Sequence, residues 1–127
     1  MKVFVYGTLR SGFGNDVLLH NATFLGEATT NGVMYSMGYI PFVSLTTQED
    51  TVHGEVYEIN EDILRRLDQL EGYNIHQPDR SFYNRSLVNT SPYGEAFIYH
   101  IDTRDSERNK IPSGDWRVYL KERGVVR

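Results

Sequence analysis

Apolar positions along this chain follow two periods, and each predicts its own kind of element. Residues 3–5 (Val3, Phe4, Val5) form a short apolar run of β-branched and aromatic side chains that leads into Tyr6-Gly7. Such a run at this length predicts a buried first strand. Residues 24–28 and 32–35 are two further strand-like pieces, with turn-type residues at 30–32 predicting a break between them. Residues 36–45 are aromatic but interrupted by Gly38 and Pro41. Proline lacks a ladder donor, so this stretch is expected at a sheet edge or as a pocket wall. Residues 51–59 alternate, with Val52, Gly54, Val56 and Glu58 on one face and His53, Glu55, Tyr57 and Ile59 on the other. Glu55 is then either a buried, paired carboxylate or a solvent-facing one at an edge.

The period changes to that of a helix at residues 60–71. Asn60 is a good N-cap, Glu61 and Asp62 favour the positive end of the helix dipole, and Gly72 is placed to end the helix. Ile63, Leu64, Leu67 and Leu70 form the apolar stripe. Residues 74–80 read as a polar loop. Residues 81–90 and 93–102 are strand-like and are joined by Ser91-Pro92-Tyr93-Gly94, a hairpin turn. Residues 116–122 predict a last amphipathic helix that packs Trp116, Tyr119 and Leu120, and residues 15–20 a short helix capped by Asn15.

Composition narrows the picture. At 127 residues the chain is expected to be one domain, 1–127. It has no cysteine, hence no disulfide, thiol nucleophile or thiolate metal site. The opening MKVFVYG does not read as a signal peptide, and no window approaches the ~18 apolar residues of a membrane span. A cytoplasmic protein with no membrane partner is expected. Net charge is −4, which argues against a nucleic-acid binder. The most basic stretch, residues 104–127, carries seven Lys/Arg against four acids and reads as a solvated face.

Two features suggest chemistry. A strand that runs into a glycine-containing loop, Tyr6-Gly7-Thr8-Leu9-Arg10, can aim several backbone N–H groups at one anion or oxyanion. Glu71 lies four residues after Leu67 and eight after Ile63, so it continues the buried stripe. At that position it is either a helix-end residue turned to water or a desolvated acid, whose raised pKa makes it a usable base near neutral pH. The four histidines, His20, His53, His76 and His100, lie in separate elements and show no zinc-ligand spacing. Neither a G-x-S-x-G elbow nor a Walker A lysine is present. What remains is proton transfer by a lone carboxylate, with backbone groups stabilising the developing charge.

The chain resembles the γ-glutamylcyclotransferase-like superfamily, in the branch of AIG2-like proteins and γ-glutamylamine cyclotransferases. The resemblance rests on an ordered set spread over nearly the whole chain. It comprises Tyr6-Gly7-Thr8-Leu9-Arg10, Gly12 and Asn15, Gly38 and Pro41, Gly54-Glu55-Val56-Tyr57, Leu67-Asp68 with Glu71-Gly72, Tyr83 and Arg85, Tyr99, and Ser113-Gly114-Asp115-Trp116.

The resemblance implies an α+β fold, a compact mixed β-barrel with flanking short helices and a pocket at its mouth. It implies release of 5-oxoproline and a free amine or amino acid from a γ-glutamyl amide, with Glu71 as the catalytic acid/base and no metal or cofactor. Tyr6, Gly7, Thr8 and Leu9 would bind the γ-glutamyl portion. Arg10 or Arg85 would pair its α-carboxylate, and Tyr83 and Tyr99 would wall the pocket. The alternative is a small-molecule binding or interaction module on the same fold without turnover. Two departures bear on specificity: Asp16 stands where this branch often has histidine, and the loop at 74–81 is long and polar.

Overall fold

The computed structural model describes residues 1–7, 19–38, 40–103 and 107–124. The strands are β1 (Lys2–Val5), β2 (Thr23–Ser36), β3 (Pro41–Ser44), β4 (Asp50–Glu58), β5 (Asn84–Thr90) and β6 (Gly94–His100). The helices are α1 (Glu61–Glu71) and α2 (Trp116–Glu122). The six strands form one sheet in the order β3-β2-β4-β1-β6-β5, with β1 parallel to β6 and every other pair antiparallel. Among the described residues no helix is long and apolar enough to cross a membrane.

The sheet curls until its two sides touch. Beyond β6, the Ile101 N–H donates to the Val43 carbonyl of β3 at 3.0 Å. Thr29 of β2 and Ser91 at the tip of the β5–β6 hairpin exchange two backbone bonds, at 3.0 and 2.9 Å. These are single stitches rather than a ladder, so the expected mixed barrel is realised as a curled, incompletely closed sheet. β1 lies inside it and is buried on both faces. Val3 and Val5 enter a cluster with Ile63 and Leu67 of α1; Phe4 and Tyr6 enter another with Met34, Val56 and Trp116. Alternation along one strand thus feeds two cores.

The expected break at residues 30–32 does not occur, and β2 runs unbroken through it. β4 supplies ladder partners there, Asn31 opposite Thr51 and Gly32 opposite Asp50. Tertiary pairing overrides the local turn preference. The irregularity sits at Gly26 instead, where the register shifts after Phe24 and φ is +148°. A Cβ there would lie 2.1 Å from the Tyr93 hydroxyl.

α1 begins and ends as its sequence predicts. The Asn60 side chain accepts the Ile63 N–H at 2.9 Å, and Gly72 takes the left-handed conformation, φ +67°, that closes the helix. α2 is capped by Asp115, whose side chain accepts the Arg117 and Val118 N–H groups. Buried Trp116 stacks on Tyr119 with ring centroids 5.1 Å apart. The strand predicted from residue 81 begins only at Asn84. The Phe82 and Tyr83 N–H groups donate instead to the Gly72 and Glu71 carbonyls, at 3.0 and 3.3 Å. Residues 81–83 are therefore drawn onto the end of α1 and off the sheet register. The short helix predicted at 15–20 lies largely outside the described residues.

Candidate active site

The end of α1, the end of β1 and the start of β3 enclose a pocket of about 220 Å³. Its floor is supplied by Val5, Tyr6, Pro41, Tyr83 and Tyr99, all buried. Gly7 and Glu71 also line it. The arrangement follows from elements already described. β1 delivers Tyr6-Gly7, the left-handed turn at Gly72 stops α1 with Glu71 as its last residue, and the bonds of Phe82 and Tyr83 to α1 bring Tyr83 across. A Cβ on Gly7 would lie 3.0 Å from Pro41 Cγ, so the wall leaves little room for a side chain there.

The hydroxyls of the three tyrosines that line this pocket are committed as donors. Tyr6 donates to the Tyr99 carbonyl at 2.6 Å, Tyr83 to the Pro41 carbonyl at 2.8 Å, and Tyr99 to Asp68 Oδ1 at 2.6 Å. Each phenol has one proton, so none of the three has a donor left over, and Tyr6 also accepts the Val43 N–H at 3.3 Å. Burial raises the pKa of all three well above the usual phenol value, and the nearby charge of Glu71 pushes each further in the same direction.

Glu71 is half-buried, and its carboxyl makes no hydrogen bond or ion pair among the described residues. Burial moves its carboxyl from 4.5 to about 7. A carboxyl that is desolvated rather than paired is equally able to accept and to return a proton near neutral pH. Of the two readings of the helix end, this burial fits the desolvated acid.

Behind the pocket, Asp68 lies one turn before Glu71 on α1. Its Oδ2 pairs with Arg85 at 2.5 Å and its Oδ1 accepts the Tyr99 hydroxyl. The Arg85 guanidinium lies over the rings of Tyr73 and Phe97, with 5.0 and 4.9 Å to the centroids. Arg85 does not line the pocket; its charge is spent on Asp68, which corrects the expectation that it meets a substrate carboxylate. Thr8, Leu9 and Arg10 lie outside the described residues, as do Gly12, Asn15 and Asp16. Sequence reasoning brought Tyr6, Gly7, Glu71, Tyr83 and Tyr99 together here, and missed Asp68 as a support. Its spacing of three from Glu71 on the same helix was the available signal.

Glu55 is the buried, paired carboxylate of its two alternatives. It is 2% exposed and meets Arg117 at 3.5 Å, with the Tyr57 hydroxyl at 3.4 Å. It stands apart from the pocket lining. Among the described residues no group of His, Asp or Glu gathers as a metal-ligand set. His100 spends both ring nitrogens on Ser86 and Asp102, at 2.8 and 2.7 Å.

The family model described as gamma-glutamyl cyclotransferase, AIG2-like, matches residues 3–118. The gamma-glutamylcyclotransferase family protein YtfP of Escherichia coli is 38% identical, over 91% of this chain and 96% of that one. The gamma-L-glutamyl-butirosin B gamma-glutamyl cyclotransferase of Niallia circulans is 32% identical, over 93% of this chain and 76% of that one. Among solved structures, an uncharacterized protein from Pyrococcus horikoshii superimposes with a TM-score of 0.76 at 27% identity, covering 98% of this chain and 96% of that one.

Proposed function

Because the chain belongs to the γ-glutamyl cyclotransferase, AIG2-like family, we propose that it cyclises a γ-glutamyl amide, releasing 5-oxoproline and an amine, with Glu71 carrying the protons. The observation that carries this reading is the state of Glu71: a carboxyl in a pocket wall, unpaired among the described residues and held at about 7 by burial.

A γ-glutamyl amide contains its own nucleophile. The Glu71 carboxylate takes a proton from the substrate's α-ammonium. The free α-amine attacks the γ-carbonyl carbon, a C–N bond forms, and the carbonyl oxygen becomes an oxyanion. Attack within one molecule closes a five-membered ring and gains from a high effective molarity, so no covalent enzyme intermediate is required. The backbone at Gly7, where the wall is bare of side chain, is the element suited to donate to that oxygen. Collapse of the tetrahedral species then breaks the bond to the leaving nitrogen. Overall two protons pass from the α-nitrogen to the leaving nitrogen, which departs as an ammonium, and Glu71 is the group placed to carry them. The Tyr83 and Tyr99 hydroxyls, whose protons are already donated, keep lone pairs that are complementary to a substrate ammonium.

The test is 5-oxoproline release from a panel of γ-glutamyl amides by the wild type and by Glu71→Gln. The amide keeps the shape and cannot take a proton. The expected result is release by the wild type and a loss on the order of a thousandfold in the variant. A folded Glu71→Gln protein that retains most activity overturns the role of Glu71. A folded wild type that releases nothing while a γ-glutamyl amide still raises its Tm points to a binding module.

A further inference from the structure

Tyr99 and His100 are successive residues of β6, so their side chains stand on opposite faces of the sheet. Tyr99 lines the pocket; His100 does not, and neither do its two partners, Ser86 and Asp102. Asn84 lies opposite His100 in the β5–β6 ladder and Ser86 follows two residues later, so these three side chains share one face. The His100 side chain is 5% exposed and that of Asp102 43%. Ser86 is half-buried on β5, the last strand in the sheet order. A buried imidazole thus sits between a hydroxyl and a carboxylate that are both partly open to solvent.

The hydrogen bonds in this cluster have a definite order. Asp102 Oδ1 accepts the Leu45 N–H at 2.8 Å and lies 2.7 Å from His100 Nδ1. A carboxylate only accepts, so Nδ1 carries the ring proton. Nε2 of the neutral ring is then an acceptor, and the Ser86 hydroxyl, 2.8 Å away, donates to it. The carboxylate is itself held in place, because the Leu45 bond and the bond from the Ile101 N–H to the Val43 carbonyl both tie the chain leaving β6 to β3. Satisfying a buried imidazole takes one donor and one acceptor of any kind. A hydroxyl on one nitrogen, with a fixed carboxylate on the other, is also the arrangement that turns an unreactive serine into a nucleophile.

We propose that Ser86 is a second reactive centre of this chain, separate from the pocket at the end of α1, and that it accepts a short acyl group from an activated ester. Ser86 Oγ attacks the carbonyl carbon, a C–O bond forms, and the serine proton passes to His100 Nε2. The carbonyl oxygen becomes an oxyanion, and the Asn84 side-chain amide, on the same face, is the donor suited to it. Collapse breaks the bond to the leaving oxygen, which takes the proton from Nε2, and an acyl ester remains on Ser86. Asp102 is a positioning residue, which orients the ring and stabilises the imidazolium without taking its proton. Ile98, opposite Ser86 in the ladder, is fully buried and Val88 packs against the same cluster, which favours a short, apolar acyl chain. This inference does not rest on the cyclotransferase reading.

The experiment treats the folded protein with p-nitrophenyl acetate, quenches in acid and maps acetylated peptides by mass spectrometry while p-nitrophenolate release is followed. In the wild type an acetyl group should appear on the peptide containing Ser86, in step with p-nitrophenolate release. Ser86→Ala should remove that label, keep the wild-type Tm and leave 5-oxoproline release unchanged. Asp102→Asn should slow labelling of Ser86 about a hundredfold. Asp102→Glu, which keeps the carboxylate, should recover part of that loss, a rescue that a merely structural contact would not give. Acetylation confined to lysines or the amino terminus, or of no residue, overturns the proposal. So does labelling of Ser86 that proceeds at the wild-type rate in folded Asp102→Asn; the cluster then only satisfies a buried imidazole.

Discussion

The Tyr99 hydroxyl meets Asp68 Oδ1 at 2.6 Å, one helical turn before Glu71. This bond joins β6 to the end of α1, and Arg85 from β5 completes it from the other side. The catalytic carboxyl proposed here has no side-chain partner of its own among the described residues, so its position depends on what holds the helix end.

Arg85→Met keeps most of the side-chain volume and removes the charge. Asp68 would remain largely covered with only Tyr99 to satisfy it. The expected cost is about 2 kcal/mol of unfolding free energy, read by urea denaturation. Arg85→Lys should recover only part, because lysine lacks the planar group that lies over Tyr73 and Phe97. The same variants should lower kcat more than they raise KM, since Arg85 lies outside the pocket lining. A loss below about 0.5 kcal/mol with unchanged kcat would show that the ion pair supports nothing.

The raised Glu71 carboxyl links stability to pH. Its value is about 7 in the folded protein against the ordinary 4.5. The stability this group contributes is full below about 4.5 and is lost as pH rises through about 7, because folding then buries a charge. Glu71→Gln stays neutral throughout. From about pH 5 to about pH 8 it should gain about 1–2 kcal/mol relative to wild type, allowing for screening of a half-exposed group. In the wild type, kcat/KM should fall with slope one below about pH 7. A stability difference independent of pH would mean that the carboxyl is solvated.

Gly54 lies on β4 beside the end of β1, next to the Val5–Glu55 pair. A Cβ there would lie 2.3 Å from the Val5 carbonyl and 2.7 Å from Phe4 Cζ. Val5 and Phe4 line the pocket and the core together, so Gly54→Ala should distort both. A loss of about 2–3 kcal/mol is expected, with a fall in Tm to match. A variant with wild-type Tm would mean that β1 moves aside freely.

Local signals carried far in this chain. The Asn60 cap, the stripe through Ile63 and Leu67 and the stop at Gly72 all act within a few residues of one another, and the helix they imply is the one found. The hairpin at Ser91-Pro92-Tyr93-Gly94 joins β5 to β6 for the same reason. Where a distant partner intervened, local reading failed. Asn31 and Gly32 are turn formers, yet β4 holds them in a ladder. Phe82 and Tyr83 alternate like strand residues, yet the end of α1 claims their N–H groups. Arg85 reads as a free cation until Asp68 is seen beside it.

The sequence by itself determined where α1 ends, and so which carboxyl stands at the close of its apolar stripe, because capping and helical periodicity are properties of neighbouring residues. Only the tertiary structure decided what that carboxyl faces. Tyr6, Tyr83 and Tyr99 come from three separate parts of the chain, and their burial around Glu71 depends on how the sheet curls. Desolvation is a property of the whole surrounding volume, so the shift of Glu71 to about 7 appears only once that volume has closed.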